Sequence, residues 1–381
     1  MTEQITGIDI VEQMIRIAAG HALLPAKQTD VKINGWALES RVYAEDPLRG
    51  FLPSIGNLKQ YVEPSGANVR VDSGVVEGSE ISIHYDPMIS KLITYGKDRT
   101  EALAHMRRAL DSYVIRGVTH NINFLRSLCD HPRFIEGRLT TNFIPEEYPN
   151  GYKGASLSEL DVRALVASAV VVKSALIAQQ TSLSGVNKSF NAEKYANEET
   201  ARLHVAFGAG IDAKTFKVGV EKTNTTTAGK QTLQMNIDGK PLTVESTYQR
   251  GQQVFDAVVD GKSYTLQVIT SSDSSARLTL SFAGTSFTLD VLTPRQAELL
   301  KYMPLAEARD TSKLVVSPMP GAVFSIKVKV GEEVAAGQEV AVVEAMKMQN
   351  ALRATNPGKV KAIKVKQGQT VTADQVLIEF E

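Results

Sequence analysis

Residues 317–381 repeat internally with an offset of 37, and this constrains the chain more than any other feature. Pro320 matches Pro357, Gly321 matches Gly358, Val323 matches Val360, and the register continues through Ile326/Ile363, Lys327/Lys364, Val328/Val365, Gly331/Gly368, Val334/Val371 and Gln338/Gln375. Each half is a short β-ribbon that cannot bury its apolar face alone. The economical solution packs two ribbons about a pseudo-two-fold axis into a flattened β-barrel. One feature breaks the symmetry. Glu344 is equivalent to Glu381, so Ala345-Met346-Lys347-Met348 falls just past the first half, where the chain crosses to the second. Lys347 is expected on a tight, protruding turn, with its amine in solvent and open to covalent modification. On the residues alone, an ordinary solvated hairpin lysine is the alternative.

A second pattern precedes the repeat. Three hairpins follow one another, with turns Asp238-Gly239, Asp260-Gly261 and Ala283-Gly284 that are 22 and 23 residues apart. Such turns flanked by alternating apolar residues predict a meander. Strands near 203–207 and 216–220 bring the total to about eight, enough to curl into a barrel. Upstream, Ser156-x-x-Glu159 reads as a capping box for a helix over about 160–180. That helix is apolar around most of its circumference, so it is expected inside other structure, with the barrel around it. A flat sheet with the helix on one face is the competing arrangement.

The N-terminal stretch mixes both periods. Ile8, Val11, Ile15 and Ala18 recur at helical spacing between an expected N-cap at Thr6 and a stop at Gly20. Short β-rich runs at 33–37, 69–71, 81–84 and 92–95 predict antiparallel sheet. Helices are expected from a Thr100 cap through Val114, with Leu103, Met106, Leu110 and Tyr113 on one face, and over 122–129. The fold class is therefore multidomain α+β and β: an α+β portion at 1–148, a helix-in-barrel portion at 149–311 and a flattened β-barrel at 312–381.

Composition excludes several classes. At roughly 150 residues per domain, 381 residues suggest two or three domains. Lys+Arg and Asp+Glu both total 42, so no global charge calls for nucleic acid or an anionic membrane. The single cysteine, Cys129, excludes an intrachain disulfide framework and reads as core packing. The longest apolar run, Ala164 to Val172, is far short of a membrane span. The first residues show no targeting signal. No P-loop or dinucleotide fingerprint is met, the six histidines lack HxxxH pairing, and no metal site is assigned.

Glu344-Ala345-Met346-Lys347-Met348, within a small symmetric β domain, resembles the biotin attachment site of biotin-dependent carboxylases. The related lipoyl domains usually present Asp-Lys-Ala at this turn, so Met346 and Met348 favour biotin. The N-terminal stretch resembles the C-terminal part of a biotin carboxylase through Trp36-Ala-Leu-Glu-Ser-Arg41-Val-Tyr-Ala-Glu-Asp-Pro47, Phe51-Leu-Pro-Ser-Ile-Gly56 and Tyr85-Asp-Pro-Met-Ile-Ser-Lys-Leu-Ile93. Val69-Arg-Val-Asp-Ser-Gly74 and Tyr113-Val-Ile-Arg-Gly-Val-Thr-His-Asn121 direct the resemblance to the α subunits of propionyl-CoA carboxylases. The middle region resembles their helix-in-barrel (BT) domain, more loosely, because its motifs are sparse.

The resemblance implies roles. Biotin would be carried covalently on Lys347, attached by a biotin protein ligase. Arg41 matches the arginine that stabilises the biotin enolate oxygen during carboxylation, although an alternating strand alone makes it a surface arginine. Phe51 falls at a residue that contacts the biotin ring, although on the residues alone a core phenylalanine is an equally good reading, and Phe143 falls where the family closes over the nucleotide. ATP, Mg²⁺ and bicarbonate serve only the complete enzyme, whose ATP-grasp portion aligns before residue 1. The chain alone is therefore expected to be unable to carboxylate biotin, and Met1 is open to reading as an engineered start, a short isoform's initiator or a gene-model error. The implied partner is a carboxyltransferase β subunit in an α₆β₆ assembly. Implied compartments are the mitochondrial matrix in a eukaryote and the cytoplasm in a bacterium. The alternatives are an α subunit for acetyl-CoA or 3-methylcrotonyl-CoA, or a truncated, non-catalytic interaction module.

Overall fold

Side-chain caps decide where the N-terminal helices begin. In the computed structural model, Thr6 ends a first helix, Thr2–Thr6, and Gly7 closes it at φ 69. Asp9 then caps the helix Ile10–Ala18 by accepting from Glu12 N at 3.0 Å. The expected cap at Thr6 is thus corrected: a left-handed glycine stops one helix and the next carboxylate starts another. Thr100 is corrected likewise. Asp98 caps the helix Arg99–Ser112 through Glu101 N at 2.9 Å, and Tyr113 turns extended, so Val114 opens the strand Val114–Arg116.

The structure describes residues 1–25, 27–82, 85–183, 202–207, 214–225, 230–271, 276–300, 302, 313–345 and 348–381. Two compact units form, one from 1–109, 113–153 and 307–381 and the other from 110–112 and 154–306. In the first, three antiparallel strands lie in the order Trp36–Tyr43, Met88–Gly96, Val69–Ser73. The expected strand at 33–37 starts only at Trp36 and runs on to Tyr43. The run at 81–84 contributes only Glu80–Ile81, which pairs with Gly56–Asn57, and positions 83 and 84 lie outside the described residues. Ile89, Leu92 and Ile93 of the central strand are buried, as are Ala102, Leu103 and Met106 of the helix. Cys129 is buried too.

The second unit is a closed eight-stranded barrel. Its strands are Arg202–Phe207, Lys214–Thr225, Gln231–Ile237, Lys240–Ser246, Val254–Val259, Lys262–Ser271, Arg277–Phe282 and Thr285–Leu292. The three tight turns have positive φ at both central residues: Asp238 49°, Asp260 47° and Ala283 48°, each followed by glycine. This is the mirror-image turn whose twist matches a hairpin. Inside the barrel cluster lie Leu165, Val166, Val170 and Val172 of the helix Glu159–Leu183, fully buried with Val205, Val244, Ala257 and Leu280 of the strands. The flat-sheet arrangement is excluded, because only closure surrounds a helix that is apolar all round. The capping pair is Ser158 and Asp161, not Ser156 and Glu159: Ser158 Oγ donates to Asp161 Oδ2 at 2.6 Å, and Asp161 N donates back to Ser158 Oγ at 3.2 Å. Among the described residues no helix is long and apolar enough to cross a membrane.

The C-terminal repeat forms two four-stranded sheets. One runs Leu314–Val316, Val376–Phe380, Gly358–Ile363, Glu333–Val334; the other runs Met348–Arg353, Glu339–Ala345, Gly321–Ile326, Thr370–Val371. Strands 37 residues apart occupy equivalent places. Val323/Val360, Val328/Val365 and Val334/Val371 fill one shared core, which neither ribbon could enclose alone.

Candidate functional site

Met346 and Lys347 lie outside the described residues, but their flanks are well defined. Glu339–Ala345 and Met348–Arg353 pair in register up to Ala345 opposite Met348, with Glu344 opposite Gln349. Gln349 Nε2 donates to Glu344 Oε2 at 2.9 Å, and Ala345 is buried in the core. Gly321 runs directly beside this hairpin. A Cβ there would stand 2.5 Å from the Glu344 carbonyl oxygen and 3.0 Å from Val343 Cγ1. Its repeat partner Gly358 would place a Cβ 3.4 Å from Phe380 Cβ, an ordinary contact. The pseudo-symmetry is therefore tightest where the chain carries Glu344 and its neighbours. Such a hairpin end, with its flanks paired and its base packed, fits a covalent group carried between Ala345 and Met348.

The remaining candidates lie in the α+β portion. Arg41 sits on Trp36–Tyr43 opposite Lys91. Its side chain is 59% exposed, and Nε lies 3.6 Å from Glu39 Oε1. Tyr43, then Glu39, raise its pKa further, so the guanidinium stays a fixed cation. Asn121 locks this strand: its Oδ1 accepts from Tyr43 N at 3.0 Å, its Nδ2 donates to Arg41 O at 3.2 Å, and its own N donates to Tyr43 O at 3.1 Å. Asn121 is only 5% exposed and was not singled out from the sequence. It closes the Tyr113–Asn121 run that carries the resemblance and stands before the helix Ile122–Leu128, but neither signal names its partners. Next to it, burial and then the Arg116 charge push His120 down to about 4, and its Nδ1 has no hydrogen-bond partner. Desolvation, then Asp86, raises the pKa of Glu45.

Phe51 and Phe143 stand at two ends of an aromatic chain. Phe51, held at φ 63, meets Phe124 edge-on at 5.0 Å; Phe124 meets Tyr148 at 5.5 Å; Tyr148 meets His131 at 6.3 Å; and His131 meets Phe143 at 5.0 Å. Phe143 is buried beneath the Arg133 guanidinium, 5.2 Å from its ring centre. The structure thus links Phe51 to Phe143 through packing and leaves Arg41 exposed on the neighbouring strand. Chemically, the Arg41 cation can hold developing negative charge without titrating.

Comparison with known proteins gives three successive family matches. Residues 39–146 match the biotin carboxylase C-terminal domain, 165–305 the propionyl-coenzyme A carboxylase BT domain and 313–380 the biotin-requiring enzyme domain. The propionyl-CoA carboxylase alpha chain of Sus scrofa, named mitochondrial, is 43% identical over 88% of this chain and 45% of its own length. That of the bacterium Ruegeria pomeroyi is 40% identical over 88% of this chain and 50% of its own. The methylcrotonoyl-CoA carboxylase subunit alpha of Dictyostelium discoideum reaches 30% over 88% of this chain and 47% of its own. The chain spans about half the length of the relatives it matches. Three domains are thus matched in one order on one chain, which is a homologue of the propionyl-CoA carboxylase alpha chains over about half of their length.

Proposed function

We propose that the chain is the biotin-carrying and β-subunit-docking part of a propionyl-CoA carboxylase α subunit, serving ATP- and bicarbonate-dependent carboxylation of propionyl-CoA to methylmalonyl-CoA. The observation that carries this is the pairing of Ala345 with Met348, the residues on either side of Met346 and Lys347, within a match to a biotin-requiring domain. Division at 148 and 311 assigns the α+β, barrel and biotinyl portions their separate tasks. Lys347 Nζ bears biotin as an amide made by a biotin protein ligase, and Glu344, Ala345, Met346 and Met348 form the sequence that ligase reads. When bound, biotin supplies a ureido nitrogen able to carry CO₂ between two reaction centres. Arg41 supplies a permanent cation for negative charge developing on a bound oxygen, and Asn121 fixes the backbone beneath it. Phe51 offers an apolar contact to a ring, and the aromatic chain behind it resists displacement. Phe143 anchors the other end of that chain, on the side expected to close over nucleotide. ATP and Mg²⁺ belong to the complete enzyme. The compartment is the mitochondrial matrix for a eukaryotic source and the cytoplasm for a bacterial one.

The barrel match to a BT domain supports docking to a carboxyltransferase β subunit. Identity of 40–43% to propionyl-CoA carboxylase alpha chains, against 30% to the methylcrotonoyl-CoA subunit, favours propionyl-CoA. Mixing the chain with carboxyltransferase β subunits of both types tests this. Copurification with the propionyl-CoA type is expected, and preference for the methylcrotonoyl-CoA type would overturn the assignment.

A further inference from the structure

The α+β and biotinyl portions share one compact unit, and Arg49 joins them. Its Nη1 donates to the Pro318 carbonyl oxygen at 3.3 Å, and its Nη2 lies 3.7 Å from Asp374 Oδ1. Beside it, Leu52 packs against the biotinyl core. The arginine is presented from a stiff turn. Asp46 Oδ1 accepts from Leu48 N at 3.0 Å, Phe51 N donates to Asp46 O at 2.8 Å, and Asp46 pairs with Leu52. Gly50 and Phe51 complete the turn at φ 67 and 63, a left-handed pair that tight packing must hold. Asp46 Oδ2, 3.9 Å from Arg49 Nε, steadies the guanidinium from its own side.

The acceptors are equally well held. Asp374 N donates to Ser317 O at 2.7 Å, Ser317 N donates to Gln375 O at 2.9 Å, and the buried Ser317 hydroxyl donates to Met319 O at 2.6 Å. A few residues on, Gly321 pairs with Val371 and lies against the Glu344 carbonyl, while Ala322 stands opposite Glu344. Arg49 therefore grips the end of the biotinyl portion at which the strands flanking Lys347 terminate, rather than its far end. The loop doing so continues directly from the strand that carries Arg41 and includes Phe51.

We propose that Arg49 is a docking residue for the biotinyl portion. Through Pro318 and Asp374 it holds the lysine-bearing end against the stretch containing Arg41 and Phe51. Its role in catalysis rests on the carrier reading of Lys347; its existence does not. The contact suits repeated docking and release. Arg49 is 49% and Asp374 70% exposed in their side chains, and exposed pairs of this kind are worth about two- to fivefold in an equilibrium constant.

The test uses the full chain with spin labels on Leu48→Cys and Ala373→Cys, both exposed positions, and with Cys129 buried. Double electron–electron resonance reads the docked fraction. The parent should show a short-distance population; Arg49→Ala and Asp374→Asn should each lower the docked-to-undocked ratio by about two- to fivefold. The double variant should fall no further than Arg49→Ala alone, since that change already removes the Asp374 contact along with the bond to Pro318. Asn keeps the left-handed backbone at 374 acceptable, and thermal melts check folding. No short-distance population, an unaltered ratio in Arg49→Ala, or fully additive losses would overturn the proposal. Biotin mapping on the same samples separates the two readings: docking without biotin on Lys347 overturns only the carrier assignment, and biotin without docking overturns only this one.

Discussion

Gly321 and Gly358 occupy equivalent places in the repeat and should respond differently to the same added methyl. At Gly321 the new Cβ would sit 2.5 Å from the Glu344 carbonyl and 3.0 Å from Val343 Cγ1, so backbone must move in the strand leading to Lys347. At Gly358 the nearest atom is Phe380 Cβ at 3.4 Å, a side chain that can yield slightly. Overpacking of the first kind costs about 1–3 kcal/mol, or about 5- to 150-fold in the local opening equilibrium. The second change should lie within about 1 kcal/mol, partly offset by the reduced freedom of the unfolded chain. Amide hydrogen exchange over Glu339–Ala345 reads the difference directly. Gly321→Ala should exchange faster than the parent by that factor and accept biotin from ligase more slowly, whereas Gly358→Ala should match the parent in both. Equal protection in the two variants would refute the steric reasoning.

Three further outcomes follow from other parts of the fold. Ser168, fully buried on the barrel helix, has a hydroxyl without a hydrogen-bond partner; Ser168→Ala should stabilise the barrel by about 1 kcal/mol, seen as a higher melting temperature. Asn121→Ala removes the acceptor for Tyr43 N and the donor to Arg41 O, and should cost about 1–3 kcal/mol in chemical denaturation, with faster exchange across Trp36–Tyr43. His120 has a folded pKa of about 4, below its unfolded value. The unfolded chain therefore binds the proton first, and stability should be full above about pH 6.5 and fall by up to about 3 kcal/mol towards pH 4. His120→Gln should flatten that slope in denaturation curves taken across the interval.

The barrel and the repeat were legible because each rests on local, recurring chemistry. Asp-Gly and Ala-Gly turns need positive φ, so three such dipeptides at even spacing mark three hairpins, and an apolar helix without a polar face needs enclosure. The repeat revealed its strands through paired valines. Helix starts were misread where two caps compete at short range: Ser156/Glu159 and Ser158/Asp161 both fit the pattern, and the hydrogen bonds choose the latter. Asn121 was not legible because its partners Tyr43 and Arg41 lie 78 and 80 residues away in sequence. Arg49 was hidden for the same reason, with Pro318 lying 269 residues away. Lys347 is singled out by its surrounding sequence alone, and the structure describes only the paired strands on either side of it.

The central claim is that Lys347 carries biotin. Intact-mass spectrometry with peptide mapping of the chain, produced with ample biotin and biotin protein ligase, tests it directly. A single biotin adduct on Lys347, absent from Lys347→Arg, is the predicted result. No adduct under those conditions, or an adduct on another lysine, would contradict the account.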